Sequence, residues 1–80
     1  MIIKLTQMKR GQVGVVSHTE GGFQFMQKIQ NMGIRTGKKV KKIEEHFKNG
    51  PQTIMIDNFK VAIGYGMAEK IFVEIEENES

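Results

Sequence analysis

Eighty residues, 39% of them hydrophobic and 26% charged, describe one ordinary globular domain with a modest core; a chain this short cannot divide its apolar content between two cores. The absence of cysteine excludes a disulfide framework, a thiolate zinc site, an iron–sulfur cluster and cysteine nucleophile chemistry, and fits a reducing cytoplasm. The net charge of +3 is mild but unevenly placed: Arg35, Lys38, Lys39, Lys41 and Lys42 crowd one segment, whereas Glu74, Glu76, Glu77 and Glu79 load the end of the chain.

From Met1 to Leu5 the chain starts apolar, but Lys9, Arg10 and Gly11 follow, so no signal-peptide hydrophobic stretch develops. Nowhere does an apolar run approach the roughly 20 residues that span a bilayer. These readings predict a cytoplasmic protein without direct membrane insertion. Val13, Val15 and Val16 then suit a strand over Gln12 to Ser17 that ends in a polar turn at Thr19 to Gly22. Gly14, inside that strand, marks a bend, a bulge or a close backbone approach.

After Gly21 and Gly22 the period changes. Phe25, Ile29 and Met32 recur at the four-then-three spacing of one helical face, and Gly33 stands where a left-handed residue closes a helix. A short helix over Phe23 to Met32 is expected. Phe23 and Met26 lie beside that face, not on it, and with Lys28 they are the candidate partner-binding residues: an exposed apolar margin with a charged neighbour.

Gly37 to Phe47 reads as a strand whose alternation slips near Lys41 and Lys42, with Val40 in one phase and Ile43 and Phe47 in the other, so a bulge is expected there. Asn49, Gly50 and Pro51 form a turn. Ile54 and Ile56 alternate with Thr53, Met55 and Asp57 as a half-buried strand, and Phe59 to Ile63 returns as its hairpin partner across Asp57 and Asn58. One helical turn at Gly66 to Glu69 precedes a last strand, Lys70 to Ile75. The fold class is therefore mainly β: a small barrel of about five or six strands with one inserted short helix, closed around Ile43, Ile54, Ile56, Ile63 and Ile71. The barrel domain is assigned to residues 1–75 and a flexible acidic tail to 76–80.

Other signals are weaker. The run Gly33-Ile34-Arg35-Thr36-Gly37-Lys38-Lys39 imitates a phosphate loop, but its glycines are one residue too close, Lys39 replaces the magnesium-binding hydroxyl and a strand follows, so it reads as turn chemistry. His18 and His46 are too far apart in sequence for a local ligand pair, although transition-metal binding is open if they converge in space, with or without Glu44 or Glu45, or across a dimer. The basic run Arg35 to Lys42 lacks the aromatic residues that usually accompany charge at nucleic-acid sites. No nucleophile, base and acid arrangement has support, so no catalytic residue and no cofactor is assigned; a binding module is expected, not an enzyme.

The order of these features is similar to one known pattern. Leu5, Gly11 and Val16, then Lys28, Ile29, Met32, Gly33, Ile34 and Gly37, then Gly50, Pro51, Ile54, Ile56, Val61, Ala62 and Ile63, and last Ala68, Ile71 and Val73 resemble the FeoA family of ferrous-iron transport accessory proteins. Gly64 departs from the basic residue often found after the Val61-Ala62-Ile63 strand. The resemblance implies an SH3-like β-barrel with an inserted helix, and a cytosolic role in which the protein binds FeoB, the membrane GTPase of ferrous-iron uptake. The chain lacks the length for a helix-turn-helix of the kind found in iron-dependent repressors. The competing class is a small basic β-barrel that binds RNA, to which Gly11-Gln12-Val13-Gly14-Val15-Val16 bears a faint likeness.

Overall fold

The computed structural model describes residues 1–45 and 49–76. Its elements are β1 (Ile2–Lys4), a 3-10 turn (Leu5–Gln7), β2 (Val13–Thr19), α1 (Phe23–Asn31), β3 (Lys39–Glu45), β4 (Gln52–Ile56), β5 (Phe59–Ile63), α2 (Tyr65–Ala68) and β6 (Ile71–Ile75). The strands form one antiparallel sheet in the order β1-β6-β2-β3-β4-β5. This is the expected mainly-β, SH3-like arrangement with a helix inserted after the second strand. Among the described residues the sheet is not closed by hydrogen bonds, since β1 and β5 remain its edges, and it curves around one buried cluster of side chains.

Alternation fills the interior from both ends. Ile54, Ile56 and Ile63 from the β4–β5 hairpin meet Ile71, Val73 and Ile75 of β6, with Val16, Val40, Ile29 and Ile34 between them. Leu5 and Met8, from the 3-10 turn and the residue that ends it, plug one side. The β4–β5 turn has positive φ at both Asp57 (51°) and Asn58 (69°), the two-residue geometry whose twist matches paired strands.

Two bulges bend the sheet. In β2 the register shifts between Val16 and His18, where Ser17 is the extra residue; in β3 it shifts between Lys42 and Glu44, around Ile43. The second bulge corrects the expected core. Val40 and Lys42 share the inward phase, with Lys42 opposite Ile54, and Ile43 is only half-buried because the unpaired bulge position turns it away from the interior. The Lys42 ammonium is fully buried and donates to the carbonyls of Leu5 and Met8, both at 3.0 Å. Of the sequence-derived features, Phe47 and His46 lie outside the described residues, as does the acidic tail from residue 77 onward.

Gly14 is a close approach. A Cβ there would collide with the Val73 side chain and lie 2.9 Å from the Glu74 carbonyl oxygen, so only glycine lets β2 and β6 pair at this register.

Candidate interaction surface

α1 forms where glycines end and helix-tolerant residues begin: Gly22 caps it, and the Met26 amide donates to the Gly22 carbonyl at 3.0 Å. Its other end is closed by the pair of bonds expected when glycine follows the C-cap. Gly33, at φ 90°, donates to the Gln30 carbonyl at 2.9 Å, and Ile34 donates to the Ile29 carbonyl at 3.2 Å. Ile34 is thereby driven into the core next to Ile29, while Phe25 and Met32 pack on the core margin. Lys70 holds its ammonium 5.3 Å from the centre of the Phe25 ring, a cation–π contact at the base of the helix.

The residues after the helix then return to the sheet as a short tip. Gly37, at φ 93°, donates to the Val16 carbonyl at 2.8 Å and Lys38 to the Arg35 carbonyl at 3.0 Å, which leaves Arg35 and Thr36 exposed between two pinned ends. The phosphate-loop look-alike is thus a turn bracketed by two left-handed glycines and followed by β3. Between this tip and α1 lies a groove of 170 Å³ lined by His18, Thr19, Met26, Ile29, Gln30, Ile34, Arg35 and Thr36. Its apolar side is Met26 with Ile29 and Ile34 beneath; its rim is polar. His18 is held by stacking on Phe72, with ring centres 4.6 Å apart and planes 3° from parallel, and its Nδ1 lies 3.1 Å from the Ser17 hydroxyl.

Phe23 is 73% exposed and Met26 is 42% exposed. At about 100° per residue the two lie about 60° apart on one flank of α1, whereas Lys28 is about 160° from Met26 and belongs to the other flank. Phe23 and Met26 therefore form one apolar surface, and Lys28 is not its neighbour. The basic group that does border Met26 is Arg35, which the sequence offered only as part of a charged run; the left-handed stop at Gly33 was the signal that the chain turns back there.

A second polar cluster links the two ends of the fold. The Thr6 hydroxyl donates to Glu69 Oε2 at 2.9 Å and the Lys4 ammonium stands 3.6 Å from Glu69 Oε1. The Thr6 bond, helped by Lys4 and Tyr65 and opposed by partial burial, holds the Glu69 carboxyl below the usual range. Burial and the Glu69 carboxylate push the Tyr65 hydroxyl up. No group of three His, Cys, Asp or Glu side chains among the described residues is placed to hold a metal ion, and no helix among them is long and apolar enough to cross a membrane.

The site is an apolar lip, Met26, over a groove whose rim is polar. Comparison with known proteins identifies the family. The chain is 39% identical over 66 residues to the "Putative Fe(2+) transport protein A" of Methanocaldococcus jannaschii, covering 82% of this chain and 78% of that one. Its fold superposes on the crystal structure of an iron uptake regulatory protein (FeoA) with a TM-score of 0.87 at 32% identity, covering 92% of this chain and 97% of the other. A manganese-dependent transcriptional repressor shares the fold alone, with a TM-score of 0.85 at 20% identity over 42% of its length. A model of the FeoA domain family matches residues 3–75, and the chain belongs to that family, the accessory proteins of ferrous-iron transport.

Proposed function

We propose that the protein is a cytoplasmic accessory and regulatory component of ferrous-iron uptake that acts by binding the cytosolic part of a FeoB-type membrane GTPase transporter. The reading rests on family membership together with one observation: the Phe23 and Met26 flank of α1, exposed above a groove rimmed by Arg35, Thr36 and His18. An exposed aromatic–methionine pair with a polar rim is the composition of a protein-binding hot spot. Met26 and Phe23 act as anchors and Arg35 faces an acidic group of the transporter, while Lys28, on the other flank of α1, lies outside the contact.

The test is Met26→Asp, measured for thermal stability and for binding to the purified GTPase domain by calorimetry. At 42% exposure the substitution leaves the fold intact, and it weakens binding about tenfold or more because it replaces an apolar anchor with a hydrated charge at the centre of the contact. Unchanged affinity in a folded variant removes this flank from the interface.

A further inference from the structure

The outer face of the sheet, away from α1, carries a second patch. In β2, Gly14 and Val16 point into the core, so Val13 and Val15 point outward, and they are 43% and 38% exposed. Register supplies their neighbours. Val15 pairs with Glu74 of β6 on one side and with Lys39 of β3 on the other; Val13 pairs with Lys41, which in turn faces Met55 of β4. Glu76 continues the outward phase of β6 and lines a hollow of 200 Å³ with Val13, Val15, Lys39 and Glu74. The result is an apolar stripe with carboxylates along one side and ammonium groups along the other. Glu74 receives the Met1 amino group at 2.6 Å, whereas Lys39, Lys41 and Glu76 have no ion-pair partner among the described residues.

We infer that a second copy of this chain covers this face, forming a homodimer by face-to-face packing of the two sheets. Charge complementarity chooses both the partner and the geometry. A twofold axis parallel to β2 lays the valine stripe of one copy along that of the other and sets Glu74 and Glu76 of each copy over Lys39 and Lys41 of its mate, twice over by symmetry. A twofold axis across the strands would instead stack carboxylate on carboxylate and ammonium on ammonium, which repels. The strand-parallel axis also matches the aligned packing of twisted sheets about 10 Å apart. A patch of this size gives a weak dimer, with a dissociation constant on the order of 10–100 μM. The face is separate from α1, so dimerisation leaves the proposed transporter surface accessible.

Sedimentation velocity over a concentration series up to about 500 μM brackets that range. Three variants are compared with the wild type, each checked for its fold by circular dichroism: Val15→Asp, the pair Lys39→Glu with Lys41→Glu, and the pair Glu74→Lys with Glu76→Lys. Each alone raises the dissociation constant about tenfold or more, the first by putting a charge at the apolar centre and the others by setting like charges opposite one another. The decisive arm mixes the two charge-reversed proteins. One now carries carboxylates on both sides of the stripe and the other ammonium groups on both sides, so they repel themselves and pair with each other as a one-to-one heterodimer. A wild type that stays monomeric throughout the series overturns the inference, as does a dimer that persists in all three variants. A monomeric wild type whose Val15→Asp variant loses binding to the GTPase domain overturns it too, by giving the patch to the transporter.

Discussion

Replacing Lys42 probes the least ordinary feature of the interior. The fully buried ammonium donates to the Leu5 and Met8 carbonyls, both at 3.0 Å, and so ties β3 to the turn that follows β1. The two carbonyls are not equivalent. Leu5 also accepts the Met8 amide at 3.2 Å, whereas the Met8 carbonyl has no other hydrogen bond among the described residues. Lys42→Met keeps most of the side-chain volume and removes both charge-assisted bonds, at about 1.5–3 kcal/mol each; removing a desolvated charge offsets a good part of that loss. A net destabilisation of about 1–3 kcal/mol is expected, or a fall in Tm of roughly 5–20 °C for a domain of this size. Lys42→Ala also leaves a cavity where the stem lay and is expected to lose about 3–5 kcal/mol. Against a total stability of about 4–12 kcal/mol, that leaves the alanine variant marginally folded. Urea denaturation followed by circular dichroism measures both, and amide exchange in the Met8–Gln12 segment reports the local release. A methionine variant as stable as the wild type, with unchanged exchange there, would refute the account of Lys42 as the tie between these segments.

Gly14→Ala is expected to lose about 2–4 kcal/mol in the same urea assay, because the added methyl group meets the Val73 side chain and the Glu74 carbonyl with no room to yield. Gly33→Val is expected to lose about 1–3 kcal/mol from backbone strain alone, since a Cβ at that position meets nothing within 4 Å but φ is 90°; an unchanged denaturant midpoint would count against it. Glu69→Gln should flatten the acid limb of the stability curve. The folded carboxyl titrates below its unfolded value of about 4.3, so its contribution is complete above that pH and disappears as the pH falls through the depressed folded value. A variant whose stability falls with acid as steeply as the wild type would remove Glu69 from that role.

The helix, its stop at Gly33 and the β4–β5 hairpin are legible in the residues because each depends on neighbours within a few positions, whereas Gly14 could be read only as a special position, its reason being contact with Val73 and Glu74 far along the chain. Gly33 closes α1 through bonds to Gln30 and Ile29, and Asp57 with Asn58 turns the hairpin through their own backbone angles. The bulge in β3 was legible as a break in alternation, but not which side of it would face inward. Moving the register by one residue exchanges the faces of a strand, and hydrophobicity argued for Ile43. The tertiary structure chose Lys42, because the carbonyls of Leu5 and Met8, brought over from the other end of the chain, satisfy a charge that no local pattern could have provided for. The pairing of β1 with β6 has the same character, joining Ile3 to Val73 across nearly the whole sequence. Helical period alone names Phe23 and Met26 as an exposed margin and sets Lys28 on the other flank, whereas the entry of Arg35, Thr36 and His18 required the packing of α1 against β2 and the turn before β3. Periodicity assigns a residue to a face of its own element; only packing decides which other elements border that face.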